Sequence, residues 1–132
     1  MSSSYRDLLV RQRAIELMIE LYRCTSRFPN DELYGLRKQL REVAGLLLTN
    51  IAEGQKRPSA SERKTLSMAM GALPKIESQI QIAYRMSYLS HEQLLMILSK
   101  TGELFRILSG LMLATGKEPM ASQVASAASA SA

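Results

Sequence analysis

Tryptophan is absent, histidine and cysteine occur once each, and aromatic side chains make up only 5% of the 132 residues. Each scarcity removes a class of protein. A lone Cys24 cannot close an intrachain disulfide, which points to a reducing compartment and rules out a disulfide-stapled scaffold. A lone His91 leaves no Glu-x-x-His pairs for a carboxylate-bridged metal centre, so no metal and no other cofactor is expected; His91 reads as a surface or capping residue. There is no glycine-rich phosphate loop and no nucleophile elbow, so nothing in the chain carries reaction chemistry and a non-enzymatic role is expected. No stretch approaches the roughly 20 apolar residues of a membrane span. Arg6, Asp7, Arg11 and Arg13 interrupt the N-terminal segment where a signal peptide would have its apolar centre, and a cytoplasmic protein is the expectation.

What the chain does have is aliphatic: 46% apolar residues, 8 of the residues being Met, with few β-branched runs. That composition favours helices, and the length suits one domain with a modest core. Val10, Ala14, Leu17, Leu21, Cys24 and Phe28 alternate at steps of four and three, which predicts a helix over Tyr5 to Thr25. A second apolar row on the same helix, Leu8, Ile15, Ile19 and Tyr22, falls about 150° away at 100° per residue. One bundle needs one such face, so the second row is a candidate oligomer interface.

Pro29 stops this helix, and Asn30 reads as the N-cap of a second one, with Asp31 and Glu32 at its positive end. That helix carries Leu33, Leu36, Leu40, Val43 and Leu47 on one face. Its half at Leu46-Leu47-Leu48 is apolar all round and is expected to be buried on more than one side, and Gly54 is expected as its C-cap glycine. Gln55 to Ser61 reads as a loop. Ser59 with Glu62 forms a capping box for a third helix lined by Leu66, Ala69, Leu73, Ile76, Ile80 and Ala83, in which Pro74 predicts a kink and not a break. Ser90 with Gln93 opens a fourth helix, lined by Leu94, Ile97, Thr101, Leu104, Leu108 and Leu111 and ending near Thr115 before Gly116. The expectation is an all-α, up-down-up-down four-helix bundle over residues 1–116, followed by a Ser/Ala-rich tail over 117–132.

Net charge is +5. Such a surplus suits RNA or DNA, although a solvated basic surface is its commoner origin. The cations gather in two places: Arg37, Lys38 and Arg41 on the second helix, and Lys56, Arg57, Arg63 and Lys64 around the following loop. These seven are the candidate nucleic-acid contacts. No aromatic residues interleave with them, which argues against base stacking and for backbone contact. A protein-interaction scaffold, with the charge incidental, is the rival reading. Asn50, Glu53 and Gly54 form a polar corner where helices meet: Asn50 is expected to satisfy backbone groups and Glu53 to pair with Lys56 or Arg57.

Tyr5-Arg6-Asp7-Leu8, Phe28-Pro29, Glu32, Tyr34-Gly35-Leu36, Gln39-Leu40-Arg41 and above all Asn50-Ile51-Ala52-Glu53-Gly54 with Arg57 resemble the signature of the four helix bundle protein family, encoded in 23S ribosomal RNA intervening sequences. The chain departs from it at Arg11, where the family carries Trp, at Leu46-Leu47-Leu48 in place of Ser-Ile-Pro, and at Lys75-Ile76-Glu77 in place of Glu-Leu-Glu. The resemblance implies a homo-oligomer, with pentameric rings in some members, and kinship with the accessory variability protein of diversity-generating retroelements, a basic pentamer that binds nucleic acid and reverse transcriptase. It implies no catalytic residues.

Overall fold

The computed structural model describes the backbone of residues 2–33, 35–55 and 59–131, and side chains over 5–33, 35–55 and 62–114. Four helices make up the described chain, with no strand among the described residues: α1 (Ser2–Thr25), α2 (Leu36–Gly54), α3 (Ser59–Arg85) and α4 (His91–Ser131), with a 3₁₀ turn over Asn30–Glu32. α1 packs on α2 and α4, and α3 packs on the same two helices.

Periodicity decides which residues enter the core. Every member of the α1 stripe from Val10 to Phe28 is buried, as are the α3 stripe from Leu66 to Ala83 and the α4 stripe from Leu94 to Leu111. Pro74 is carried inside α3 without interrupting it. Thr101 is a buried polar member of the α4 stripe. Its hydroxyl lies 2.6 Å from Glu77 Oε2 and 3.0 Å from the Leu98 carbonyl, so the group is satisfied where it is removed from water. The capping box at α4 forms in both directions: the Ser90 amide donates to Gln93 Oε1 at 2.8 Å, and the Gln93 amide donates to Ser90 Oγ at 3.1 Å.

The second helix departs from expectation at both ends. Asn30 does not cap it. The chain first makes a 3₁₀ turn, and α2 begins at Leu36 with Gly35 as its N-cap residue. The cap is supplied by Glu32, whose Oε1 accepts the Leu36 amide at 2.9 Å while Oε2 accepts the Tyr88 hydroxyl at 2.7 Å. A Cβ at position 35 would stand 2.5 Å from that Oε1, so the glycine makes the cap feasible. Leu33 is therefore outside α2 and exposed, and Ala44 and Ile51 complete the buried stripe, with Val43 only half-buried. At the other end Gly54 is the last helical residue and Gln55 follows in right-handed geometry, so no left-handed glycine closes the helix. Gly54 is buried for another reason: a Cβ there would meet the Leu66 side chain at 3.2–3.3 Å and the Glu62 carbonyl at 3.6 Å. It sits where α2 and α3 come closest. Leu46, expected to be buried, is 60% exposed, because only Leu47 and Leu48 of that triplet turn towards the core.

α3 ends in a Schellman motif. The Tyr88 amide reaches the Ala83 carbonyl at 2.8 Å, the Ser87 amide reaches Tyr84 at 2.9 Å, and Ser87 takes φ 64°. α4 does not stop near Thr115; its backbone continues to Ser131. Alanine is the strongest helix former, which offsets the cost of Gly116 and of the missing donor at Pro119.

Candidate functional site

The two basic groups lie at opposite ends of α2. Arg37, Lys38 and Arg41 occupy its first two turns, whereas Arg63 and Lys64 follow its last residue. From Arg41 to Gly54 the helix advances about 20 Å at 1.5 Å per residue. The five described cations therefore do not make one patch. Lys56 and Arg57 lie outside the described residues, as does the expected pairing of Glu53 with either. Glu53 itself is exposed, Asn50 half-buried and Gly54 buried.

At the first end, two arginines serve the connection from α1 to α2. Arg41 Nε donates to Thr25 Oγ1 at 2.9 Å, its Nη2 donates to the Tyr22 carbonyl at 3.3 Å, and its guanidinium stands 4.4 Å over the Tyr22 ring. Thr25 Oγ1 in turn donates to the Leu21 carbonyl at 2.7 Å. Arg37 Nη2 donates to the Phe28 carbonyl at 2.6 Å. A helix C-terminus carries partial negative charge, so two guanidinium groups suit this corner. Lys38 is exposed and pairs with Glu42 at 3.4 Å. Tyr22, Leu33, Arg37, Lys38, Arg41 and Glu42 line a shallow groove of about 310 Å³. The groove thus has three cations against one carboxylate. Of the second group, Arg63 is half-buried and Lys64 exposed.

Near that second end, the Gln55 side chain ties α1 to α2. Its Nε2 donates to the Asp7 carbonyl at 2.7 Å, and its Oε1 accepts Arg11 Nη2 at 2.7 Å. Burial pushes the Asp7 carboxyl up, with the Arg11 charge opposing; burial, then the Asp7 charge, push Glu62 up. Glu32 behaves oppositely. The Leu36 amide, and then the Tyr88 hydroxyl, hold it below the ordinary glutamate value, and the same bond raises Tyr88. These shifts fix opposite signs of pH dependence. A lowered carboxyl contributes stability above its ordinary value, near pH 4, and loses it as pH falls through the lowered value. A raised carboxyl costs nothing below its ordinary value, near pH 4, and a growing amount from there up to the raised value, above which the cost is complete. Glu32→Gln should therefore lower the melting temperature at pH 7 and approach the parent in acid. Asp7→Asn and Glu62→Gln should raise it at pH 7, again with the difference closing in acid. Thermal melts at pH 7 and at the acid end read all three; a Glu32→Gln protein as stable as the parent at pH 7 would contradict the capping role.

The second apolar row of α1 is open. Leu8, Ile15, Ile19 and Tyr22 are each 40–50% exposed, on the side of the helix away from its buried stripe. Sequence reasoning missed a comparable set on α2 and α3. Leu46 of α2 and Met68, Ile82 and Met86 of α3 are each 50–60% exposed. The spacing of Met68, Lys75 and Ile82, seven residues apart, was the available signal. Cys24 is buried, and burial raises its thiol pKa, with the Glu20 charge adding and Arg27 opposing. Among the described residues no group of three or more His, Cys, Asp or Glu could hold a metal ion, and no helix is long and apolar enough to cross a membrane.

These features define a class: a small all-α protein of four helices around one aliphatic core, with its unusual groups on its surface. The chain belongs to the 23S rRNA-intervening sequence protein family, whose sequence pattern matches residues 6–110. It is also similar in fold to a protein of unknown function from the S23 ribosomal protein family of Bacteroides thetaiotaomicron VPI-5482, solved at 1.70 Å. That likeness has a TM-score of 0.73 at 18% identity and covers 81% of this chain and 97% of that one. Among curated proteins there is no significant match.

Proposed function

We propose that the chain is a non-enzymatic, cytoplasmic, self-assembling four-helix bundle, with residues 1–116 as the bundle and 117–132 as a Ser/Ala-rich C-terminal tail that continues α4. The outer face of α1 carries this reading. Four large apolar side chains in one row, none of them needed by the core, are what a subunit contact requires. An up-down-up-down order is supported by three neighbour pairs: Arg11 and Arg41 of α1 and α2 reach Gln55 and Tyr22, Gln39 and Gly54 of α2 meet Gln79 and Leu66 of α3, and Arg13 of α1 meets Glu103 of α4. The family likeness favours a pentamer. Light scattering at micromolar concentration should give a mass several times that of the chain. Ile19→Asp should reduce it to the monomer with helicity unchanged, because Ile19 takes no part in the core. A monomeric parent overturns the reading.

Contact with RNA or DNA backbone is a second reading, favoured by the groove with three cations and one carboxylate. A ring would repeat that weak basic surface several-fold and add avidity. Arg37 and Arg41 hold the connection from α1 to α2 in place and Arg63 is half-buried, so the test uses the remaining four: Lys38, Lys56, Arg57 and Lys64 replaced together by Gln. Affinity for an arbitrary DNA duplex at low salt should fall, and the slope of log affinity against log salt should flatten by up to about 0.9 per lost phosphate contact. Unchanged affinity and slope would leave a protein-interaction scaffold in its place.

A further inference from the structure

We infer that the outer face of α1 in one copy seats on the outer seam between α2 and α3 of the next copy, so that the contact joins two different surfaces. The inference rests on the self-assembly proposed above and names its missing half.

The seam runs along two adjoining helices. Gln79 Nε2 of α3 lies 3.4 Å from Gln39 Oε1 of α2, which marks where the two helices adjoin. From Gln39, Leu46 lies two turns along α2 on the same side; from Gln79, Met68 lies three turns away on α3, and Ile82 and Met86 lie one and two turns the other way. All four apolar side chains are more exposed than buried or evenly divided. The α1 row extends about 21 Å from Leu8 to Tyr22, and the α3 part of the seam about 27 Å from Met68 to Met86, at 1.5 Å per residue. One surface is long enough to receive the other.

Two observations favour this pairing over α1 packing on α1. The first is economy of burial. An α1-on-α1 contact would cover four large apolar side chains twice and leave the seam wet in both copies, whereas one α1-on-seam contact covers both sets. The second is charge. Lys75 is exposed in the middle of the seam, and Glu16 stands half exposed beside the middle of the α1 row, paired with Arg13 on its own helix at 3.3 Å. Centre against centre, the lysine meets a carboxylate; α1 against α1 brings Glu16 towards a second Glu16. A contact between unlike surfaces uses each copy twice, so it closes into a ring or continues as a filament, and it does not stop at two.

Mixing separates the alternatives. Ile19→Asp blocks the α1 face and leaves the seam intact; Ile82→Asp does the reverse. Each variant alone should run as a monomer in sedimentation or light scattering, with the parent's helicity. Mixed at equal concentration, they should form a one-to-one heterodimer of twice the chain mass, because one productive contact remains. Met68→Glu should behave as Ile82→Asp does. If Ile82→Asp and Met68→Glu both keep the parent's mass while Ile19→Asp is monomeric, the seam is not the partner surface, although self-assembly through α1 stands. If the parent is itself monomeric, both readings fail together.

Discussion

Leu40→Ala and Leu73→Ala should each cost about 2–5 kcal/mol of unfolding free energy, read from urea or thermal melts of the two variants beside the parent. Both side chains are all but inaccessible, on the helices that share the most extensive packing, so truncation removes transfer energy and leaves a cavity that neighbours cannot readily fill. Leu73 is the more informative of the two because it precedes Pro74, whose ring already removes one helix hydrogen bond from that turn. A Leu46→Ala protein is the natural control. Leu46 is exposed in the chain, so its truncation should leave the melting of a monomeric variant such as Ile19→Asp almost unmoved. Equal losses at positions 40, 46 and 73 would mean that the buried stripe of α2 is wrongly placed.

Substitutions at Gly54 should distinguish two reasons for a glycine. A left-handed cap residue resists alanine because any Cβ is strained there. Gly54 is instead helical, and its constraint is the approach of Leu66 and of the Glu62 carbonyl. Gly54→Ala should be the milder of the two: the added methyl meets Leu66 Cδ2 and Cγ at 3.2–3.3 Å, which a shift of a few tenths of an ångström relieves, and the helix gains propensity of up to about 1 kcal/mol. Gly54→Val should be severe, costing about 1–3 kcal/mol, since a branched side chain would also press on the α3 backbone at Glu62, which cannot yield as the leucine does. Chemical denaturation of both variants tests this, and a Gly54→Val protein as stable as Gly54→Ala would show that the approach of α3 is not what requires the glycine.

Three of the four helices were legible from spacing because their burial has one cause, a single apolar stripe facing a single core. The Ser90–Gln93 box was legible for a similar reason, since both partners lie within one turn. What escaped depends on groups far apart in the chain. Glu32 read as a charge near a helix start, but its work is fixed by Gly35, which leaves it room, and by Tyr88, which holds its second oxygen. Gly54 read as a terminator because Leu66, the residue that requires it, belongs to the next helix. Arg37 and Arg41 read as candidate phosphate contacts, and the pattern on α2 alone gave no sign of the carbonyls that they serve, Phe28 just beyond α1 and Tyr22 in its last turn. Leu46 read as buried because an apolar triplet was counted as a unit, whereas adjacent helix positions point about 100° apart.

The carboxylate of Glu32 also has a consequence for how the molecule opens. A helix end ordinarily frays alone, residue by residue, and its first amides exchange with solvent first. Here the first amide of α2 is held by an oxygen whose twin is held by a tyrosine 56 residues further on, in the turn between α3 and α4. The entrance to one helix and the exit of another are thereby joined through three atoms of one side chain. Loss of the bond at one place frees the carboxylate at the other, so exchange of the Leu36 amide should quicken in Tyr88→Phe, a change in a turn to which it has no covalent connection nearby.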